Sequence, residues 1–160
     1  MGVLKEPEVE HSIPKVISAG WINSYDFDGV VTVGIIPREC DIVITGRGID
    51  EKAIVVETVR SLGARCMEIY LNPKTKAMGR TRKDSGEHKA NILLRFIKEG
   101  RKIWNHFDDD PVQIKVIENA IEDRIEDLQK KEKLEAAEAN ELSILTEFHV
   151  VAVVTFRQIK

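Results

Sequence analysis

The sequence predicts an α/β protein: a doubly wound, mostly parallel sheet of about five strands. Three observations predict it. Short β-branched or apolar runs alternate with longer segments whose apolar residues recur at helical spacing. Glycine or proline punctuates the boundaries, at Gly46, Gly63, Gly100 and Pro111. Polar residues gather just after the runs, where a parallel sheet binds its ligands, beyond the carboxyl ends of its strands.

Size and composition agree with that class. A chain of 160 residues suits one domain with a substantial core. Apolar residues at 42% and charged residues at 32% fit a globular chain. A net charge of −3 argues against a surface that coats nucleic acid generally, while allowing a local basic patch. With no run of eighteen apolar residues and no apolar signal segment at the N-terminus, the expected location is cytoplasmic. Cys40 and Cys66 each adjoin an apolar segment and read as reduced, partly buried thiols.

The elements follow in order. Residues 1–20, with Pro7 and Pro14 among acidic residues, read as an irregular arm with a short ordered piece near 13–17. A single domain occupies 21–160. Its first strand is expected at 21–26, followed by a flap over 27–38 that Gly29, Gly34 and Pro37 keep from being helical. Residues 41–45 form a second strand. Asp50 caps a helix to about residue 62, with Ala53, Val56 and Val59 on one face. Strand three is 66–71. A loop over 72–86 carries Lys74, Lys76, Arg80, Arg82 and Lys83; Asp84 or Ser85 then caps a helix over 87–98. Strand four is 102–107. Pro111 starts a helix with Ile114, Ile117, Ile121, Ile125 and Leu128 on one stripe. The Lys/Glu run 130–141 reads as the solvated continuation of that helix, and 148–156 as the last strand.

The chemistry centres on Tyr25-Asp26-Phe27-Asp28-Gly29-Val30-Val31-Thr32. On a strand end, Asp26 and Asp28 face the same side, because successive strand residues alternate. Two neighbouring carboxylates at a sheet mouth repel each other and call for a cation, a proton or a basic partner. Further along come Thr45-Gly46-Arg47 after the second strand, Lys89 on the helix after the basic loop, and Asp108-Asp109-Asp110-Pro111 after the fourth strand. Asp110 suits the N-cap of the helix that Pro111 starts, which leaves Asp108 and Asp109 for a metal. His106, one residue inside the strand end, reads as a packed or hydrogen-bonded histidine.

In this order the four segments resemble the motifs of the haloacid dehalogenase-like (HAD) phosphatases, whose first motif reads Asp-x-Asp-Gly, over about residues 21–118. The resemblance implies a Rossmann-like fold and a Mg²⁺-dependent phosphomonoesterase acting through an aspartyl phosphate. It implies Asp26 as nucleophile, Asp28 as general acid and then base, and Thr45 and Lys89 as catalytic groups at the phosphoryl oxygens. Asp26, Asp28, Asp108 and Asp109 would hold the Mg²⁺. Thr45, Gly46, Arg47 and Lys89 would bind phosphate, with Arg80, Arg82 and Lys83 reaching the rest of the substrate. A separation of nineteen positions from Asp26 to Thr45 leaves no room for a cap domain or for the helix usually found there. A capless site resembles those of nucleic-acid end-repair phosphatases, where a polyanionic end acts as its own lid, and the basic loop suits that substrate. It also resembles the small sugar-phosphate phosphatases that gain a lid by oligomerising. A protein that keeps the fold as a non-catalytic binding module is the third expectation.

Overall fold

The computed structural model describes residues 3–5, 15–18, 41–61 and 68–152. Among the described residues six strands form one mixed sheet: β1 (Val3–Lys5), β2 (Lys15–Ser18), β3 (Asp41–Gly48), β4 (Glu68–Asn72), β5 (Asn105–Asp108) and β6 (His149–Ala152). Their order across the sheet is β1-β4-β3-β2-β5-β6. β1 runs antiparallel to β4 on one edge, and every other pairing is parallel. Among the same residues four helices lie between the strands: α1 (Lys52–Ser61), α2 (Arg82–Lys98), α3 (Pro111–Gln129) and α4 (Ala136–Glu147).

The parallel strands, taken in chain order, lie 3-2-1-4-5 across the sheet. From β2 the chain winds outward to β3 and β4, then crosses back to β5 and β6. Right-handed crossovers therefore place α1 on one face and α2, α3 and α4 on the other. The core agrees. Ile42, Ile44 and Tyr70 pack with Leu93, Phe96 and Ile97 of α2, Ile117 and Ile121 of α3, and Ile144 and Leu145 of α4. Val43, Ile69 and Leu71 alternate with that set and are also buried, as are Val55 and Val56 of α1. The winding reverses between β2 and β5, and the carboxyl ends of those two strands mark the ligand crevice of such a sheet.

Several expectations need correction. The strand between β3 and β5 is Lys15–Ser18, in a segment expected to be mostly irregular arm. The strand expected at 21–26, the flap 27–38, Cys40 and Cys66 lie outside the described residues. Asp50 belongs to a 3₁₀ turn, Ile49–Glu51, ahead of α1, and Ala53 is exposed while Val55 and Val56 face inward.

α2 begins at Arg82, five residues early, because Thr81 and Asp84 form a reciprocal cap. The Asp84 N–H donates to Thr81 Oγ1 at 3.1 Å and the Thr81 N–H to Asp84 Oδ2 at 2.8 Å. Arg82 and Lys83 are thus helical residues of the first turn. Gly86, inside α2, is there for packing: an added Cβ would lie 2.9 Å from Val116 Cβ and 3.1 Å from Gln113 Cα of α3.

The Lys/Glu run does not extend α3. That helix ends at Gln129, and Glu138 reaches back to the Glu135 N–H at 3.1 Å to start α4. Leu134, Leu142, Ile144 and Leu145 give the returning segment an apolar side against the core. The Arg124 guanidinium of α3 forks onto the buried Glu141 carboxylate of α4, at 2.7 and 2.9 Å. Among the described residues, no helix is long and apolar enough to cross a membrane.

Candidate active site

The carboxyl ends of β3 and β5 and the N-terminal turns of α2 and α3 converge on the crevice side of the sheet. Gly46 at the end of β3 makes the convergence possible. A Cβ there would sit 2.7 Å from both Cβ and Oγ of Ser85 on α2. Ser85 Oγ donates to the Gly46 carbonyl at 3.3 Å. Thr45, one residue earlier, is buried, and its Oγ1 accepts from the Arg47 N–H at 3.1 Å. A threonine hydroxyl that accepts one bond keeps its own hydrogen to donate.

One turn further along α2, Lys89 reaches Asp108 at the end of β5. Lys89 Nζ lies 2.7 Å from Asp108 Oδ2, and both side chains have 0% exposure. His106 Nε2 lies 3.2 Å from the same oxygen, since His106 and Asp108 are two apart on β5 and share a face. The Asp110 N–H donates to the other oxygen, Oδ1, at 3.1 Å. Burial alone would raise the Asp108 carboxyl, but the Lys89 charge and the His106 hydrogen bond override it and hold Asp108 well below the carboxylate range. Burial lowers His106 and keeps it neutral, against the pull of Asp108.

Asp109 behaves in the opposite way. Burial first, then the Asp108 charge, pushes its carboxyl up to about 6, although Lys89 opposes the shift. Asp110 is the N-cap of α3, as the sequence indicated: its Oδ1 accepts from the Val112 N–H at 2.9 Å. It is also held by Arg82 through two bonds, at 2.9 and 2.7 Å, and by Gln113 Nε2 at 3.1 Å.

The site cations predicted for substrate phosphates pair largely with acids of the same region. Arg47 Nη1 and Arg80 Nη2 both donate to Glu51, at 2.7 and 3.2 Å. Arg82 pairs with Asp110, Lys74 with Asp84 at 3.0 Å, and exposed Lys83 with Glu87 at 3.8 Å. The structure therefore brings together Thr45, Gly46, Lys89, Asp108, Asp109 and Asp110. It turns Arg82 and Lys83 into first-turn helix residues with acidic partners. Asp26 and Asp28 lie outside the described residues. Among the described residues no group of three or more His, Cys, Asp or Glu could hold a metal ion.

Glu51 and Gln113 were not foreseen from the sequence, and Ser85, expected as a possible helix cap, lies instead in the first turn of α2 against Gly46, Thr81 being the cap. Gln113 had a readable signal, at the third position of a helix whose N-cap is an aspartate. Glu51 and the contact of Ser85 with Gly46 had none, because the partners are distant in the chain or set by the fold. Compared with family models, curated proteins and solved structures, the chain matches none.

Proposed function

We propose that the protein is a Mg²⁺-dependent phosphomonoesterase that works through an aspartyl phosphate on Asp26. The observation that carries this reading is the fully buried Lys89–Asp108 pair at the carboxyl edge, which also carries Thr45 at the end of β3 and the second acid, Asp109, after β5. A buried lysine and a paired acid at the switch point of a doubly wound sheet supply fixed positive charge and oxygen donors where a ligand is expected. Three of the four segments that resemble HAD motifs, those with Thr45, Lys89 and Asp108-Asp109, contribute to this site, and the segment with Asp26 and Asp28 comes after β2 in the chain.

Among the described residues Asp109 alone is offered to a hard divalent cation, and the other oxygen ligands fall to Asp26 and Asp28. Asp109 is a half-buried carboxylate next to a second one; burial first, then the Asp108 charge, raises its proton affinity to about 6, and a carboxylate oxygen is the ligand such a cation takes. Asp109, Asp26 and Asp28 would hold Mg²⁺, while Asp108, next to Asp109 in the chain, is anchored to Lys89. When bound, Mg²⁺ offsets the charge of the phosphoryl oxygens and orients the ester.

The chain's own groups do the rest. The Asp26 carboxylate oxygen bonds to phosphorus as the ester P–O bond breaks, and Asp28 gives its proton to the departing alkoxide. Asp28, now ionised, takes a proton from water; the hydroxide displaces Asp26 from phosphorus and releases inorganic phosphate. Thr45 donates its hydroxyl hydrogen to a phosphoryl oxygen. Lys89 balances the added negative charge in a dry setting.

The pairing of Arg80, Arg82, Lys74 and Lys83 with acids favours a small phosphorylated metabolite over a nucleic-acid end, because a cation already neutralised gains less from a further phosphate. The test is hydrolysis of p-nitrophenyl phosphate with and without Mg²⁺, by the wild type and Asp26→Asn, followed by a panel of sugar phosphates and 3′- and 5′-phosphorylated oligonucleotides. The expected result is Mg²⁺-dependent release of phosphate that Asp26→Asn abolishes, with sugar phosphates preferred. Equal rates for wild type and Asp26→Asn would overturn the mechanism; a strong preference for oligonucleotides would restore the nucleic-acid reading.

A further inference from the structure

β5 carries a buried histidine that filling the core does not account for. His106 has 0% exposure, and its Nδ1 has no hydrogen-bond partner among the described residues. Burying an imidazole with one nitrogen unpaired is unfavourable compared with an apolar side chain of similar size. The neighbouring strand shows what the core takes at this level: Val150 of β6, the register partner of His106, is an apolar residue packed against the core. The polar ring therefore needs a compensating role, and its other nitrogen provides one. Nε2 lies 3.2 Å from Asp108 Oδ2, the same oxygen that meets Lys89 Nζ at 2.7 Å.

Asp108 is held from three directions. Lys89 and His106 meet at Oδ2, and the Asp110 N–H meets Oδ1 at 3.1 Å. A carboxylate held by one lysine alone can rotate about its Cβ–Cγ bond and take the flexible ammonium with it. A ring donor two residues back on the same strand fixes that rotation. With Nε2 beside a carboxylate, Nε2 carries the hydrogen and Nδ1 is bare, which also explains the unpaired acceptor.

We infer that His106 is a positioning residue: by donating from Nε2 to Asp108 it sets the carboxylate that aims the Lys89 ammonium at the transferring phosphoryl group. The inference rests on the phosphatase reading for its consequence and on the buried geometry for its existence. A small misplacement of a charge at the reacting centre costs rate far more than substrate binding. His106 therefore acts on kcat through Lys89 and leaves KM nearly unchanged.

The test compares His106→Leu, which has no donor, with His106→Gln, whose amide N–H can replace Nε2. Hydrolysis of p-nitrophenyl phosphate with Mg²⁺ gives kcat and KM, and thermal melting gives stability. The expected result is a drop in kcat of about ten- to a hundredfold in His106→Leu, with KM within about twofold. His106→Gln should recover most of the loss although its melting temperature also falls. Equal kcat losses in both variants, or wild-type kcat in His106→Leu, would overturn the inference.

A second measurement does not depend on activity or on the stability of a variant. The ¹⁵N chemical shifts of the His106 ring in the wild-type protein should show Nε2 protonated and Nδ1 bare. A ring protonated at Nδ1 would overturn the inference and leave the phosphatase reading standing. The expected tautomer in a wild type that hydrolyses no phosphate ester would overturn the phosphatase reading and, with it, the role given to His106.

Discussion

Lys89 and Asp108 set the energetics of the site. Each alone would be an unsupported charge in a dry interior; together, with His106 and the Asp110 N–H, they are tolerated. Removing one partner takes from the other its buried contact at 2.7 Å. Asp108→Asn is expected to destabilise the protein by about 3–5 kcal/mol. Removing both charges in Lys89→Met/Asp108→Asn should recover part of that loss. Asp110→Ala removes a helix cap and should cost only about 0.5–2 kcal/mol. Urea unfolding of the four proteins checks this ordering, and an Asp108→Asn protein as stable as Asp110→Ala would show that Asp109, which already feels the Lys89 charge, replaces Asp108 as its counter-charge. Part of this was legible in the sequence, since motif order singled out Lys89 and Asp108 and the Asp-Pro step gave the cap. The pairing of Arg80 with Glu51 and of Arg82 with Asp110 was not, because the fold brings together residues 29 and 28 positions apart.

The elements were legible where periodicity was strong and unreadable where one residue type had two meanings. The stripe Ile117, Ile121 and Leu128 predicted α3, and those residues are buried. α4 was hidden because Lys and Glu dominate residues 130–141, while the apolar residues that turn it back onto the core come mostly later. The start of α2 was misplaced because Gly86 reads as a loop residue. Its role is to let α3 approach. Gly86→Ala tests that account. An alanine favours the helix by roughly 1 kcal/mol where space allows. Here its Cβ would lie 2.9 Å from Val116 Cβ and 3.1 Å from the Gln113 backbone, so the helices must part. Overpacking of this kind costs about 1–3 kcal/mol, and the net effect is expected to be a loss. A higher melting temperature in Gly86→Ala would show that α2 and α3 have slack between them.

At the scale of the whole molecule, two half-buried groups give the folding equilibrium opposing pH dependences. His88, on α2 beside Lys89, is pushed down to about 4, first by burial and then by the Lys89 and Arg95 charges, against a backbone bond at Tyr70 that favours protonation. Its Nε2 is buried with no partner among the described residues. Between about pH 6.5 and pH 4 the unfolded chain binds a proton at this position and the folded chain does not. Stability therefore falls as pH drops through that window, by about 3 kcal/mol in full. Asp109 has the opposite sign. Its carboxyl is raised to about 6 from an ordinary 3.8, so the folded chain keeps a proton that the unfolded chain has lost, and stability falls as pH rises between those values. The acids that the fold depresses, such as Asp84 at about 2, act mainly below this range. In EDTA, thermal melts of the wild type from pH 4 to 6 should therefore be shallow. His88→Gln removes the rising limb, so its stability should decline from pH 4 to 6. Asp109→Asn removes the falling limb, so its stability should climb steadily towards pH 6.5. Parallel profiles for the two variants would mean that neither group titrates as its surroundings dictate. Mg²⁺ adds a further distinction. A cation held by Asp109 competes with its proton, so Mg²⁺ should raise the melting temperature of the wild type more at pH 7 than at pH 5 and should leave Asp109→Asn nearly unaffected at either.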